Sequence, residues 1–89
     1  MKLRYQFVVQ KVGGTAVAVV VGRDNQKFNG MIRLNDSGER IFKLLSAGDL
    51  TQEQLLTQYA EEYGTTVKTI EADVLEFVEQ LRQNDLLVD

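Results

Sequence analysis

Apolar positions in this chain first follow a period of two and later a period near four. Residues 7–12 and 15–21 are β-branched or aromatic at most positions, and only Gly13 and Gly14 separate them. That pair accepts the positive φ of a two-residue hairpin turn. Gly22, Arg23, Asp24, Asn25 and Gln26 follow as turn chemistry. Residues 27–34 then alternate, with Phe28, Ile32 and Leu34 on one side and Asn29, Met31 and Arg33 on the other. The pattern predicts a three-stranded antiparallel meander. Alternation alone does not say whether Met31 or Ile32 turns its amide to the free edge.

The period changes after Leu34. Asp36 and Glu39 have capping-box spacing, Ile41, Leu44 and Leu45 follow at helical spacing, and Gly48 stops a first helix over residues 37–47. Thr51 with Gln54 repeats the device, with Leu55, Leu56, Tyr59 and Ala60 as the apolar face and Gly64 as the end. Thr66 is the N-cap expected for a third helix, whose apolar face is Val67, Ile70, Val74, Phe77, Val78 and Leu81. On a wheel the apolar arc of that helix spans about 160°, where about 100° suffices to pack on a core. The surplus either packs on both the sheet and the first helix or is left for a ligand.

An N-terminal three-stranded antiparallel sheet followed by three α-helices is an α+β, winged-helix-like layout. Its last strand has a free edge beside the last helix. With 89 residues and no linker-like or repeated segment, the chain reads as a single domain over residues 1–89.

Composition narrows the chemistry. Histidine and cysteine are both absent, which removes the commonest general base, the thiolate nucleophile and the usual zinc ligands. The acids Glu71, Asp73, Glu76 and Glu79 fall mainly on the solvent side of the third helix and read as a solvated face. Gly13 and Gly14 sit in a hairpin, not between strand and helix, so they form no phosphate loop. The reading is therefore of no catalytic residue, no metal and no cofactor. The longest apolar stretch is far short of a membrane span, so no membrane partner and a cytoplasmic location are expected.

Charge is uneven: eight bases stand against three acids through residue 43, and two against ten beyond it. The second predicted helix carries Glu53, Glu61 and Glu62 and no base, and the third is net acidic. Duplex DNA, which needs a basic recognition helix, is disfavoured.

Several of these positions together resemble the PqqD family. They run from Leu34 and Asn35 through Ser37, Gly38 and residues 41–45 to Gly48, then Thr51, Gln54, Leu55, Leu56 and Tyr63. Asp73, Val74, Phe77, Val78, Leu81, Leu86 and Leu87 complete the set. Members are the peptide-recognition domains, or RiPP recognition elements, of pathways that modify ribosomally made peptides. The resemblance implies a non-catalytic adaptor that takes the leader of a precursor peptide as an added strand and presents it to a modifying enzyme, often a radical SAM protein. The positions it implies for the peptide are Phe28, Asn29, Gly30, Met31, Ile32, Arg33 and Leu34 on the third strand. On the third helix they are Val67, Ile70, Glu71, Val74, Leu75 and Val78. Asn84 and Asp85 stand where members frequently have a glycine, and Asn tolerates the left-handed conformation. Two other readings stay open: a winged-helix nucleic-acid-binding regulator, and a homodimerisation module pairing its own edge strands.

Overall fold

The computed structural model describes residues 1–21 and 31–89. In chain order the elements are β1 (Lys2–Leu3), β2 (Phe7–Val12), β3 (Thr15–Val20), β4 (Met31–Leu34), α1 (Asp36–Ala47), α2 (Gln52–Glu62), α3 (Val67–Gln83) and β5 (Leu87–Val88). The expected α+β arrangement is present: β2, β3 and β4 form an antiparallel sheet in that order, and three helices follow. Phe28, Asn29 and Gly30 lie outside the described residues.

The β2–β3 hairpin closes at Val12 opposite Thr15. Gly13 and Gly14 take φ of +58° and +83°, the pair of left-handed conformations that a two-residue turn matching the strand twist requires. Cross-strand pairing puts Phe7, Val9, Ala16, Ala18, Val20, Ile32 and Leu34 on one sheet face. Ile41, Phe42 and Leu45 of α1 join them in a core that also takes in Leu55, Leu56 and Tyr59 of α2 and Val74, Val78 and Leu81 of α3. Phe42 is wholly buried; its removal from water contributes on the order of 2–3 kcal/mol.

Three local readings are revised. The first cap is Asn35, whose Oδ1 accepts the Gly38 N–H at 2.7 Å. Asp36 is already the first helical residue, and Glu39 turns to Lys11 of β2 and Lys43 at 2.9 and 3.3 Å instead of back to the cap. The hydrogen bond from Lys11 is the main cause holding the Glu39 carboxyl below its ordinary range. Thr66 does stand at the start of α3, yet its hydroxyl meets that of Thr69 at 2.9 Å and caps no backbone amide. The Thr51 and Gln54 capping box forms in full.

The end of α3 holds the third revision. Asp85, not Asn84, takes the left-handed conformation, with φ 60°. Leu86 N–H donates to the Leu81 carbonyl at 2.9 Å and Asp85 N–H to that of Arg82 at 3.1 Å, the pair of bonds that defines a Schellman turn. A non-glycine residue there costs about 1–2 kcal/mol. Arg4 offsets it, through an ion pair to the Asp85 carboxylate at 2.9 Å and a bond to its carbonyl at 3.0 Å. The turn seats Leu86 and Leu87 in the core and brings β5 alongside β1, with Lys2 opposite Val88 and Leu3 opposite Leu87. Two-residue strands carry no alternation to read, so this second sheet is absent from the sequence pattern.

Asn35→Ala is expected to destabilise the protein by about 1 kcal/mol, and Asp36→Ala by no more than a few tenths to about 1 kcal/mol. Urea unfolding of both variants checks this; a larger loss for Asp36→Ala would put the cap one residue later.

Candidate functional site: a free strand edge beside the third helix

Backbone hydrogen bonding decides which groups of β4 are free. Val21 N–H donates to the Gln6 carbonyl at 3.0 Å, so residues 6 and 21 form a bonded pair. In an antiparallel ladder bonded and non-bonded pairs alternate. Gln10 with Val17 and Val12 with Thr15 are therefore bonded pairs too. Ala16 and Ala18 turn their amides and carbonyls the other way, towards Leu34 and Ile32 of β4. By the same alternation, the N–H and C=O of Met31 and Arg33 point outward, where no strand pairs with β4 among the described residues.

A cavity of about 380 Å³ runs along this edge, lined by Met31, Ile32, Arg33, Phe77, Gln80, Leu81, Asn84 and Leu86. Ile32, Phe77, Leu81 and Leu86 give it an apolar lining, and the amides of Gln80 on α3 and of the C-cap Asn84 border it. It shares Phe77 and Gln80 with a second cavity of about 280 Å³, which adds Asn35, Ser37, Asp73 and Glu76. The two are neighbours along the α3 flank, one at the turn after α3 and the other at the start of α1, and are together called the groove.

Phe77 sits at the junction because of Gly38. A Cβ on Gly38 would lie 2.9 Å from Phe77 Cε1 and 3.1 Å from Cζ, so a side chain there displaces the ring. Behind it Phe77 meets Phe42 edge-on, with centroids 6.3 Å apart, and Phe42 meets Phe7 in the same way at 5.1 Å. This row of rings ties the groove wall to the sheet.

Among the residues that the sequence marked, Met31, Ile32 and Arg33 line the groove, and Leu34 is buried beneath it. On α3, Val74 and Val78 are fully buried in the core, and Val67, Ile70 and Leu75 pack against its margin. Glu71 is exposed. At 3.6 residues per turn, Glu71 and Leu75 lie roughly 120° and 160° round the helix from Phe77, on the opposite flank. The flank that the groove uses is Asp73, Phe77, Gln80, Leu81 and Asn84. Its spacing is legible in the sequence as a helical stripe, but it mixes apolar and polar residues and so lacks the contrast of the core stripe.

A third cavity, about 330 Å³, lies between Tyr5, Phe7, Leu45 and Asp49. It lies at the β2 side of the sheet, away from β4 and α3. No helix among the described residues is long and apolar enough to cross a membrane.

A family model described as coenzyme PQQ synthesis protein D (PqqD) matches residues 13–87. The chain belongs to this family. A solved structure, TbiB1 in complex with the TbiA(beta) leader peptide, superposes with a TM-score of 0.68 over 100% of both chains at 23% identity. That likeness establishes the shared fold. Comparison with curated protein sequences finds no match.

Proline scanning tests the ladder. Ile32→Pro removes a bond to β3 and is expected to unfold the domain or cost about 3 kcal/mol, whereas Met31→Pro, on the solvent side of an edge strand, leaves it folded. Thermal unfolding checks the pair, and the reverse order would shift the ladder by one residue. Gly38→Ala should cost about 1–2 kcal/mol despite the better helix propensity of Ala, because the ring must move. In a Phe77→Leu background the same substitution should cost less, the remaining loss coming from the cap oxygen of Asn35, 3.1 Å from the added Cβ; an equal loss in both backgrounds would mean that the ring is not the obstacle.

Proposed function

We propose that this protein is a non-catalytic adaptor. It captures the leader segment of a ribosomally made precursor peptide as a fourth strand on β4 and presents it to a modifying enzyme. The observation that carries this is the outward N–H and C=O of Met31 and Arg33 beside the groove floored by Ile32, Phe77, Leu81 and Leu86. Unpaired strand backbone supplies affinity that is indifferent to sequence, and a groove that accepts alternate side chains supplies selectivity. Membership in the PqqD family and the likeness to a protein solved with a leader peptide support the same ligand class. Among the described residues, the proposed site is on β4, α3 and the turn after α3.

The modifying enzyme is of the class that acts on such peptides, radical SAM proteins among them. Nothing in the groove calls for a cofactor. Its side chains are amides, a hydroxyl, carboxylates, the Arg33 guanidinium, the Met31 thioether and hydrocarbon, a set suited to holding a peptide.

The test is titration with a leader peptide encoded beside this protein's gene, followed by amide chemical shifts. Affinity on the order of micromolar, about −8 kcal/mol, is expected, with shifts along Met31 to Leu34 and along Asp73, Phe77, Gln80 and Asn84. Met31→Pro, which removes one outward donor, should weaken binding about two- to tenfold in a protein that remains folded. Shifts confined to α2 or to the β2–β3 hairpin, or unchanged affinity in Met31→Pro, would sink strand addition at this edge.

A further inference from the structure

Resting on strand capture at this edge, we propose that Arg33 sets the register of the guest by pairing with a carboxylate on the guest residue opposite it. Asp73 and Glu76 penalise the alternative register.

The two faces beside the edge differ in charge. Met31 and Arg33 share the sheet face turned away from the core, since their cross-strand partners are Val19 and Val17. Beyond these lie Val8 and Gln10 of β2, both exposed, while Val17 between Gln10 and Arg33 is buried. Arg33 is the one charged side chain on that face among the described residues, and it makes no ion pair there. A guest residue opposite Arg33 forms a bonded pair, about 5.5 Å away between Cα atoms, with its side chain on the same face. A carboxylate at that place meets a guanidinium that no acid pairs among the described residues.

The groove face carries the opposite sign. Asp73 and Glu76 are exposed on its α3 flank, and neither is held in an ion pair among the described residues. The guest residues on either side of the acid point into the groove, over Ile32, Phe77 and Leu81. A slip of one residue moves every guest side chain to the other face. The carboxylate would leave Arg33 for the side that holds Asp73 and Glu76, while the apolar residues would move out to water. Both changes disfavour the slipped register. The guest class is thus a segment in which an Asp or Glu is flanked on both sides by apolar residues.

Selection of phage-displayed random dodecapeptides on the immobilised full chain tests this. Enriched peptides should carry that apolar, acidic, apolar order. Replacing the acid by Lys in a synthetic copy should weaken binding about three- to tenfold by fluorescence anisotropy. Arg33→Glu should reverse the preference and Arg33→Lys should retain it. In Asp73→Asn/Glu76→Gln, acids should become tolerated at the neighbouring, groove-facing positions. An acid preference that survives Arg33→Glu, or alternating apolar peptides selected without an acid, overturns the role of Arg33 and leaves strand capture standing. A strict preference in the double variant removes Asp73 and Glu76 from the proposal. If the folded protein enriches no peptide, strand capture falls and the register proposal with it.

Discussion

The close approach of α1 to α3 at Gly38 and Phe77 is the contact on which the groove depends. Because Gly38 has no side chain, the Phe77 ring lies against the first turn of α1, and the same ring forms the junction of the two cavities. Phe42, buried behind it, passes that placement to Phe7 of β2. Protein interiors are close-packed, so a row of rings in edge-on contact leaves each little room to shift alone. The distance between the α3 flank and the β4 edge is thereby set by the core itself.

A second constraint acts from below. The Schellman turn after α3 places Asn84 and Leu86 at the lower end of the groove. It does so through a left-handed Asp85, whose backbone and carboxylate are both held by Arg4. An otherwise costly conformation is thus paired with a cation from the opposite end of the described chain. The β1–β5 ladder closes the same seam. The groove is bounded by the Schellman turn at one end and by the first turn of α1, packed against the middle of α3, at the other.

An unpaired edge strand is an invitation to self-association, which proteins blunt with short strands and charge. The described part of β4 is four residues long and carries Arg33. Two copies cannot place Arg33 opposite Arg33 without repulsion. In the proposed capture, the same side chain that discourages self-pairing attracts a strand that brings a carboxylate.

What was legible from the sequence was local. The Gly13 and Gly14 hairpin, the Thr51 and Gln54 box and the amphipathic stripes of the three helices depend on neighbours within a few residues, whose backbone preferences and periodicities survive in any context. Where neighbouring residues compete for one role, local preference alone does not choose between them. Asn35 and Asp36 are both good caps, and Glu39 chose between a cap and Lys11 on the basis of a strand 28 positions earlier in the chain. Asn84 and Asp85 competed likewise for the left-handed position, and Arg4 settled it.

The sequence by itself determined that there is an alternating strand over Met31 to Leu34, a helix with a broad apolar arc, and a fold that sets them side by side. Only the tertiary structure decided which amides face the open edge and which flank of α3 faces them. The first follows from hydrogen-bond phase, which begins at the hairpin and passes through β3 to β4; no residue in β4 encodes it. The second follows from rotation of α3 about its axis, set when Val74 and Val78 sink into the core and Phe77 meets Gly38.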